Sequence, residues 1–320
     1  MDLQAVSDLM MNGFSFQDAL QIAKTKQNEN IIDEILRNLS NGEQGETVIA
    51  KYLSPSCYAY FIGFIQYMSL KDTLSAILHI MEQEKKQKED LIKGMLYPSL
   101  LFLGVNAGVL LFNSCVLPVM IHMMSSFQYA DQSILLTQHV LSILSKCTLL
   151  GIAAGCIILT YCLQNSHVIH TYHWIEKKLP DALLVKYASS QFCRFYLECI
   201  KRNLPTRESL LILKTMVQKP LVKDIAEQLD TLLSAGQEMS EAVAQSSAES
   251  ALVQIFHIAV YASNCETMME GYLHMVQERT VHEIQLFSRI VQGISYSAVA
   301  LIIVLVYQVL LMPISMMQTL

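Results

Sequence analysis

Polar and apolar positions alternate along this chain in large blocks. A mixed segment running to Lys93 gives way to a stretch with no Asp, Glu, Lys or Arg before Asp131. Lys146 then stands alone until Glu176, a second mixed segment follows, and no charged residue comes after Arg289. A membrane-crossing helix needs about 20 apolar residues. Spans are therefore predicted over residues 95–119, 140–163 and 294–312. Inside the mixed segments, apolar residues recur at helical spacing. Leu70, Leu74, Ile77, Leu78 and Met81 form an i, i+4, i+7, i+8 stripe that leads into the charged run 82–90. Alternating strand patterns with Asn-Gly or Asp-Gly hairpins are missing, so the pattern predicts an all-α membrane protein.

The blocks also repeat. Gly13-Phe14-Ser15-Phe16-Gln17-Asp18-Ala19-Leu20 finds a counterpart in Asn203-Leu204-Pro205-Thr206-Arg207-Glu208-Ser209-Leu210. Both read as a turn, a helix start and an acid in the first turn. Ser15 with Asp18 predicts a capping box, and Pro205 suits the first helical position. Leu39-Ser40-Asn41-Gly42 matches Leu233-Ser234-Ala235-Gly236, where glycine ends a helix. Leu117-Pro118 matches Met312-Pro313. Such a duplicated unit predicts two repeated cytoplasmic helical-bundle domains. The first is residues 1–93 and is followed by a transmembrane hairpin, 94–165. The second is residues 166–289 and is followed by a third span within 290–320.

Charge sets the topology. Nine Lys or Arg lie at or before Lys93 and twelve between Lys177 and Arg289, against the lone Lys146 elsewhere. The positive-inside rule then places both polar domains and the N-terminus in the cytoplasm, with the 120–140 loop and the C-terminus outside. Met1-Asp2-Leu3-Gln4 has neither a basic nor an apolar signal region, so no cleaved signal peptide is expected. Acids exceed bases in both polar domains, 13 to 9 and 14 to 12. Direct nucleic-acid binding is therefore not expected.

Candidate chemistry is thin. No phosphate-binding loop and no HExxH occur, and the predicted spans hold no Asp or Glu. Neither catalysis nor a cofactor is expected. Eight cysteines form no CxxC and read as small buried hydrophobes. His167, His170 and His173 share one helical arc, but cysteine or carboxylate support for a metal is missing. With Trp174 and Lys177-Lys178 they read better as an interfacial anchor. Gly104/Gly108 and Gly151/Gly155 are four-residue glycine pairs, one in each arm of the hairpin, and suit close helix packing. The run 82–90 predicts a solvated helix face with pairs such as Glu82–Lys86 and Glu84–Lys88. Its place beside a span also suits transmission of movement through Glu82, Glu84, Lys85, Lys86, Lys88 and Glu89.

Taken in order, these motifs resemble the type II secretion F family, the inner-membrane platform proteins of type IV pilus and secretion machines. Gly13 to Leu20 resembles the family's opening turn, and Leu39 to Gly42 its L-x-x-G element. Tyr97-Pro98 resembles the opening of its first span, and Phe192-Cys193-Arg194-Phe195 the start of its second copy. The family's Gly-Glu-x-Ser-Gly element is replaced by Met68-Ser69-Leu70-Lys71-Asp72 and Ser263-Asn264-Cys265-Glu266-Thr267. The shortened pattern is most similar to the competence pseudopilus platform of Gram-positive bacteria. The resemblance implies a homo-oligomeric platform in the cell membrane that couples a cytoplasmic hexameric ATPase to pilin or pseudopilin assembly for DNA uptake. A platform with a non-competence role, a transporter subunit and a membrane-bound enzyme are the alternatives.

Overall fold

The structure, a computed structural model, describes residues 2–116, 168–180, 182–259 and 264–317, with isolated positions between 117 and 167. Among the described residues the chain is helical and contains no strand. It opens with α1 (Leu3–Met11), α2 (Phe16–Ile22), α3 (Glu29–Ser40), α4 (Gly45–Ala50) and α5 (Pro55–Ile65). The long α6 (Leu70–Leu111) follows and closes in a π-helical turn at Phe112–Val116. Then come α7 (Val168–Lys178), α8 (Leu183–Ile200), α9 (Thr206–Lys214) and α10 (Pro220–Ser234). The last are α11 (Met239–Gln245), α12 (Ser250–Ala259) and α13 (Cys265–Met317).

The breaks between helices follow from local chemistry. Ser15 caps α2: its Oγ accepts the Asp18 amide at 3.2 Å and donates to Asp18 Oδ2 at 2.6 Å. Ser69 and Asp72 repeat this arrangement ahead of α6. At the other ends the chain turns through left-handed residues, Gly13 (φ 96°), Gly42 (88°), Gly236 (89°) and Asn203 (56°). After α3, Gly42 N–H donates to Leu39 O and Glu43 N–H to Asn38 O, both at 3.1 Å, which satisfies carbonyls the helix leaves open. Pro205 differs from expectation. It precedes the first helical residue as the N-cap of α9, with ψ 148°, and its carbonyl accepts the Ser209 amide at 2.9 Å. Proline's fixed φ suits this extended position as well as the first helical one.

Residues Met1–Lys88 and Gln164–Glu278 together form one compact unit. Its centre is α8, buried on nearly all sides from Val185 to Cys199. Phe195 meets Tyr60 edge-on at 5.2 Å and stacks on Phe64 at 6.5 Å, while Phe192 stacks on Tyr196 at 5.7 Å. Burying each large apolar side chain contributes about 1.5–3 kcal/mol, so these rings anchor the unit. Gly63 on α5 lets α9 approach: a Cβ there would lie 2.7 Å from Thr215 Oγ1. Cys57, Cys193 and Cys199 are buried, Cys265 is half-buried and Cys115 is exposed.

The second unit takes Glu89–Leu163 and Arg279–Leu320. In it α6 and α13 meet closely. A Cβ on Gly94 would lie 3.0 Å from Ile284 Cγ2, and the Tyr97 and Tyr296 hydroxyls are 3.2 Å apart. Pro98 stands inside α6 without breaking it, and a cavity of about 280 Å³ opens beside it, walled by Met95, Phe102, Ile284, Phe287 and Val291. Of the described residues, one helix, Leu70–Val116, is long and apolar enough to cross a membrane. The predicted third span is helical in backbone as far as Met317. Most of the predicted second span and the 120–140 loop lie outside the described residues, as do Gly151, Gly155, Cys147, Cys156, Cys162 and His167.

Candidate functional site

The first unit concentrates polar chemistry along one face of α6. Residues 72, 75, 79, 83 and 87 are spaced three or four apart and so share a side of the helix, with 84 at its margin. Arg202 reaches that face from just beyond α8, with Nε donating to Asp72 O at 3.0 Å and Nη2 to Ser75 Oγ at 3.2 Å. Its Nη1 donates to Glu198 Oε2 at 2.5 Å. The other Glu198 oxygen meets His79 Nδ1 at 2.5 Å, and His79 Nε2 lies 3.1 Å from Gln83 Nε2. Further along, Glu84 accepts the Tyr60 hydroxyl at 3.3 Å and pairs with Lys219 at 2.8 Å. Gln87 Oε1 accepts both terminal nitrogens of Arg194, at 3.3 and 3.2 Å.

The carboxylate at the middle of this seam is dry, whereas His79 is partly open to water. Glu198 is only 2% exposed. Burial pushes its carboxyl pKa up, but the His79 hydrogen bond and the Arg202 charge outweigh that and hold it below the usual range. Burial lowers the Arg194 guanidinium, opposed by the charge of Glu84. The Tyr60 phenol is pushed far up, by burial first and then by Glu84. A cleft of about 620 Å³ opens beside Glu198, with Asp8, Asp72, His79, Glu82 and Lys201 in its walls. Its mixed charge suits neither a phosphate nor a cation in particular, and among the described residues no cluster has the makings of a metal site.

The run 82–90 is thus two-faced. Glu82, Lys85, Lys86, Lys88 and Glu89 are exposed, whereas Gln83, Glu84 and Gln87 turn inward. The expected Glu84–Lys88 pair is replaced by Glu84–Lys219. Glu84 continues the buried stripe of Leu74, Ile77 and Ile80, so its partner is Lys219, the N-cap of α10, rather than a residue of its own helix. Glu89 pairs with Lys93 at 3.6 Å. His173 does not converge with His170, since its ring nitrogens face Asp224 at 3.2 Å and Ser247 at 3.3 Å. Leu20 is fully buried, and Gly13, Gly42 and Gly236 hold the turns described above. A Cβ on Gly104 or Gly108 would meet nothing within 4 Å among the described residues.

The sequence reading names Arg194 only within the start of the second copy and does not single out Glu198 or Arg202. Their signal was available: alternating charges four residues apart, beginning within the otherwise apolar helix α8, mark one polar seam on a buried cylinder.

Residues 192–313 match the family model for Type II secretion system (T2SS), protein F. The match begins inside α8, at Phe192 of its aromatic core, and runs through most of α13, ending at Pro313. No curated protein matches the chain. The match supports the type II secretion F family and indicates a platform-type protein of secretion or pilus machines. Proteins of that family are membrane platform proteins, generally not enzymes, and work with assembly ATPases and pilins. Together with the apolar helix Leu70–Val116, the match points to the inner membrane.

Proposed function

We propose that this chain is the membrane platform of a type IV pilus-like machine of the competence pseudopilus kind. It couples a cytoplasmic hexameric ATPase to pilin assembly for DNA uptake and performs no chemistry itself. The family match over residues 192–313 carries the reading. The polar seam on α6 supports it, because a helix gripped at one end and apolar at the other is suited to carry force into a bilayer. In this reading the motor docks on the outward side of the run 82–90, at Lys85, Lys86 and Lys88. Pilin or pseudopilin subunits lie against the spans, and Gly104 and Gly108 admit a neighbouring helix or a second copy of the chain. The polar segments are a duplicated pair facing the cytoplasm, joined by a membrane hairpin and closed by a third span.

Deleting the gene should abolish the surface filament and DNA uptake while pilin synthesis and purified motor ATPase activity persist. Normal filaments in the deletion strain refute the platform reading. Filament loss with intact DNA uptake assigns the chain instead to a pilus or secretion machine with a non-competence role. Reporter fusions at Asn30 and Ser247 should read as cytoplasmic and one at Ala130 as external; a cytoplasmic signal at Ala130 overturns the three-span topology.

A further inference from the structure

Helix α7 is divided lengthwise. Val168 and Tyr172 are buried, Ile175 packs on the core, and His173 is tied to Asp224 and Ser247. Ile169, His170, Trp174, Lys177 and Lys178 are exposed. At 100° per residue these five fall within half of the helix circumference, an arc that also holds His173, whose ring reaches across to Asp224 and Ser247. Trp174 is 57% exposed, and Leu179 and Leu183, next along the chain, are exposed as well. Lys178 Nζ lies 4.6 Å from the centre of the Trp174 ring, which fixes a cation beside the indole.

We propose that this face is a docking surface for anionic phospholipid headgroups. Trp174, Leu179 and Leu183 enter the boundary between headgroups and acyl chains, and Lys177 and Lys178 meet the lipid phosphates. Two observations favour a bilayer over a protein partner. The first is chemical. An indole flanked by ammonium groups and leucines is the combination that partitions to a membrane interface. Within a chain of net charge −6, two adjacent exposed lysines complement an anionic leaflet. Among the described residues of α7 the one acid, Glu176, turns toward His173 at 3.6 Å. The second is continuity. The apolar tract 140–163 ends five residues before α7 begins, a reach of about 18 Å at full extension. This step rests on reading that tract as a span.

Trp174 is the only tryptophan of the chain, so it reports on its own surroundings. The full chain is placed in lipid nanodiscs of phosphatidylcholine with or without phosphatidylglycerol, some lipids being brominated near the headgroup end of the acyl chain. With phosphatidylglycerol, Trp174 emission should shift to the blue and be quenched by brominated lipid. Lys177→Gln/Lys178→Gln, two surface changes, should reduce that quenching by roughly half. Water-like, unquenched emission in both lipids overturns the proposal. So does equal quenching in both, or protection of Trp174 that arises only when the purified motor ATPase is added. Alkaline washing of native membranes separates this step from its premise. A chain released by the wash removes the span and the proposal with it. A retained chain with unquenched Trp174 overturns the docking surface alone.

Discussion

Replacing Glu198 by alanine should loosen the first unit, and the structure sets the scale. Glu198 joins Arg202 and His79 through one carboxylate with almost no exposure. Removing one partner from a buried pair costs about 3–5 kcal/mol, because the other charge is left uncompensated. Arg202 keeps Asp72 O and Ser75 Oγ, and His79 is partly open to water. The lower end, about 3 kcal/mol, therefore applies. In a unit of about 200 residues, each kcal/mol lowers Tm by about 2–4 °C, so Glu198→Ala should lose about 6–12 °C. Thermal unfolding of the full chain in detergent, followed by far-ultraviolet circular dichroism, measures this. Adding Arg202→Ala should cost less than the sum of the two single changes, since the second no longer strands a partner. A pH series tests the electrostatic part. The folded pKa of Glu198 is depressed, so its contribution is complete above the unfolded value, about 4.3, and disappears as pH falls through the lower folded value. Glu198→Gln should lack that share of the acid-side loss. A fall of less than about 2 °C for Glu198→Ala would refute the reasoning.

Three further outcomes follow from particular contacts. Reversing Lys85, Lys86 and Lys88 to Glu should leave stability within about 0.5 kcal/mol, because these side chains face solvent. It should nevertheless impair filament assembly through altered contacts with the motor, and wild-type filament yield at normal abundance removes this face from the mechanism. Gly63→Ala should destabilise by about 1–3 kcal/mol as its Cβ meets Thr215 and Met216, and an unchanged Tm shows that α9 yields at no cost. Gly42→Ala should cost about 1–2 kcal/mol from its positive φ although the space around it is open, while Asn203→Gly should be neutral or stabilising; denaturant melts that rank the two the other way contradict the turn geometry.

How far the sequence reaches depends on the range of the interaction. The capping of α2 by Ser15 and the turns at Gly13, Gly42 and Gly236 are settled within a few residues, so local spacing revealed them. The matching pair Ser69–Asp72 was equally local but was passed over, because those positions drew notice only for a missing motif. Glu84 was misassigned for a different reason. A charged run looks solvated on composition, yet position 84 extends the stripe of Leu74, Ile77 and Ile80, and Gln87 lies three residues further on the same side. The periodicity held the answer, but the partner, Lys219, stands at the N-cap of a distant helix. His79 and Glu198 stand 119 residues apart, and no local pattern pairs them. What the sequence does expose is the oddity of Arg194 and Glu198 inside an apolar helix, which demands partners without naming them.

The seam suggests why α6 is not joined to α8 by apolar packing alone. Greasy helix surfaces tolerate small rotations and slips, since one set of methyl groups serves nearly as well as the next. A hydrogen bond or ion pair is met at one register and lost at the neighbouring one, at the cost of leaving a buried polar group unpaired. Asp72, Ser75, His79 and Gln87 set four such conditions against α8 and Arg202 just beyond it, over about 22 Å of helix at 1.5 Å per residue, and Glu84 adds a fifth against Tyr60 and Lys219. Satisfying all five at once leaves α6 one position against α8. If a motor pushes on the outward lysines of this helix, the push cannot be absorbed by sliding along α8. It must move the helix together with the unit that grips it, or break the seam. The contacts that turn Glu84 and Gln87 away from solvent are thus what would make Lys85, Lys86 and Lys88 an effective handle.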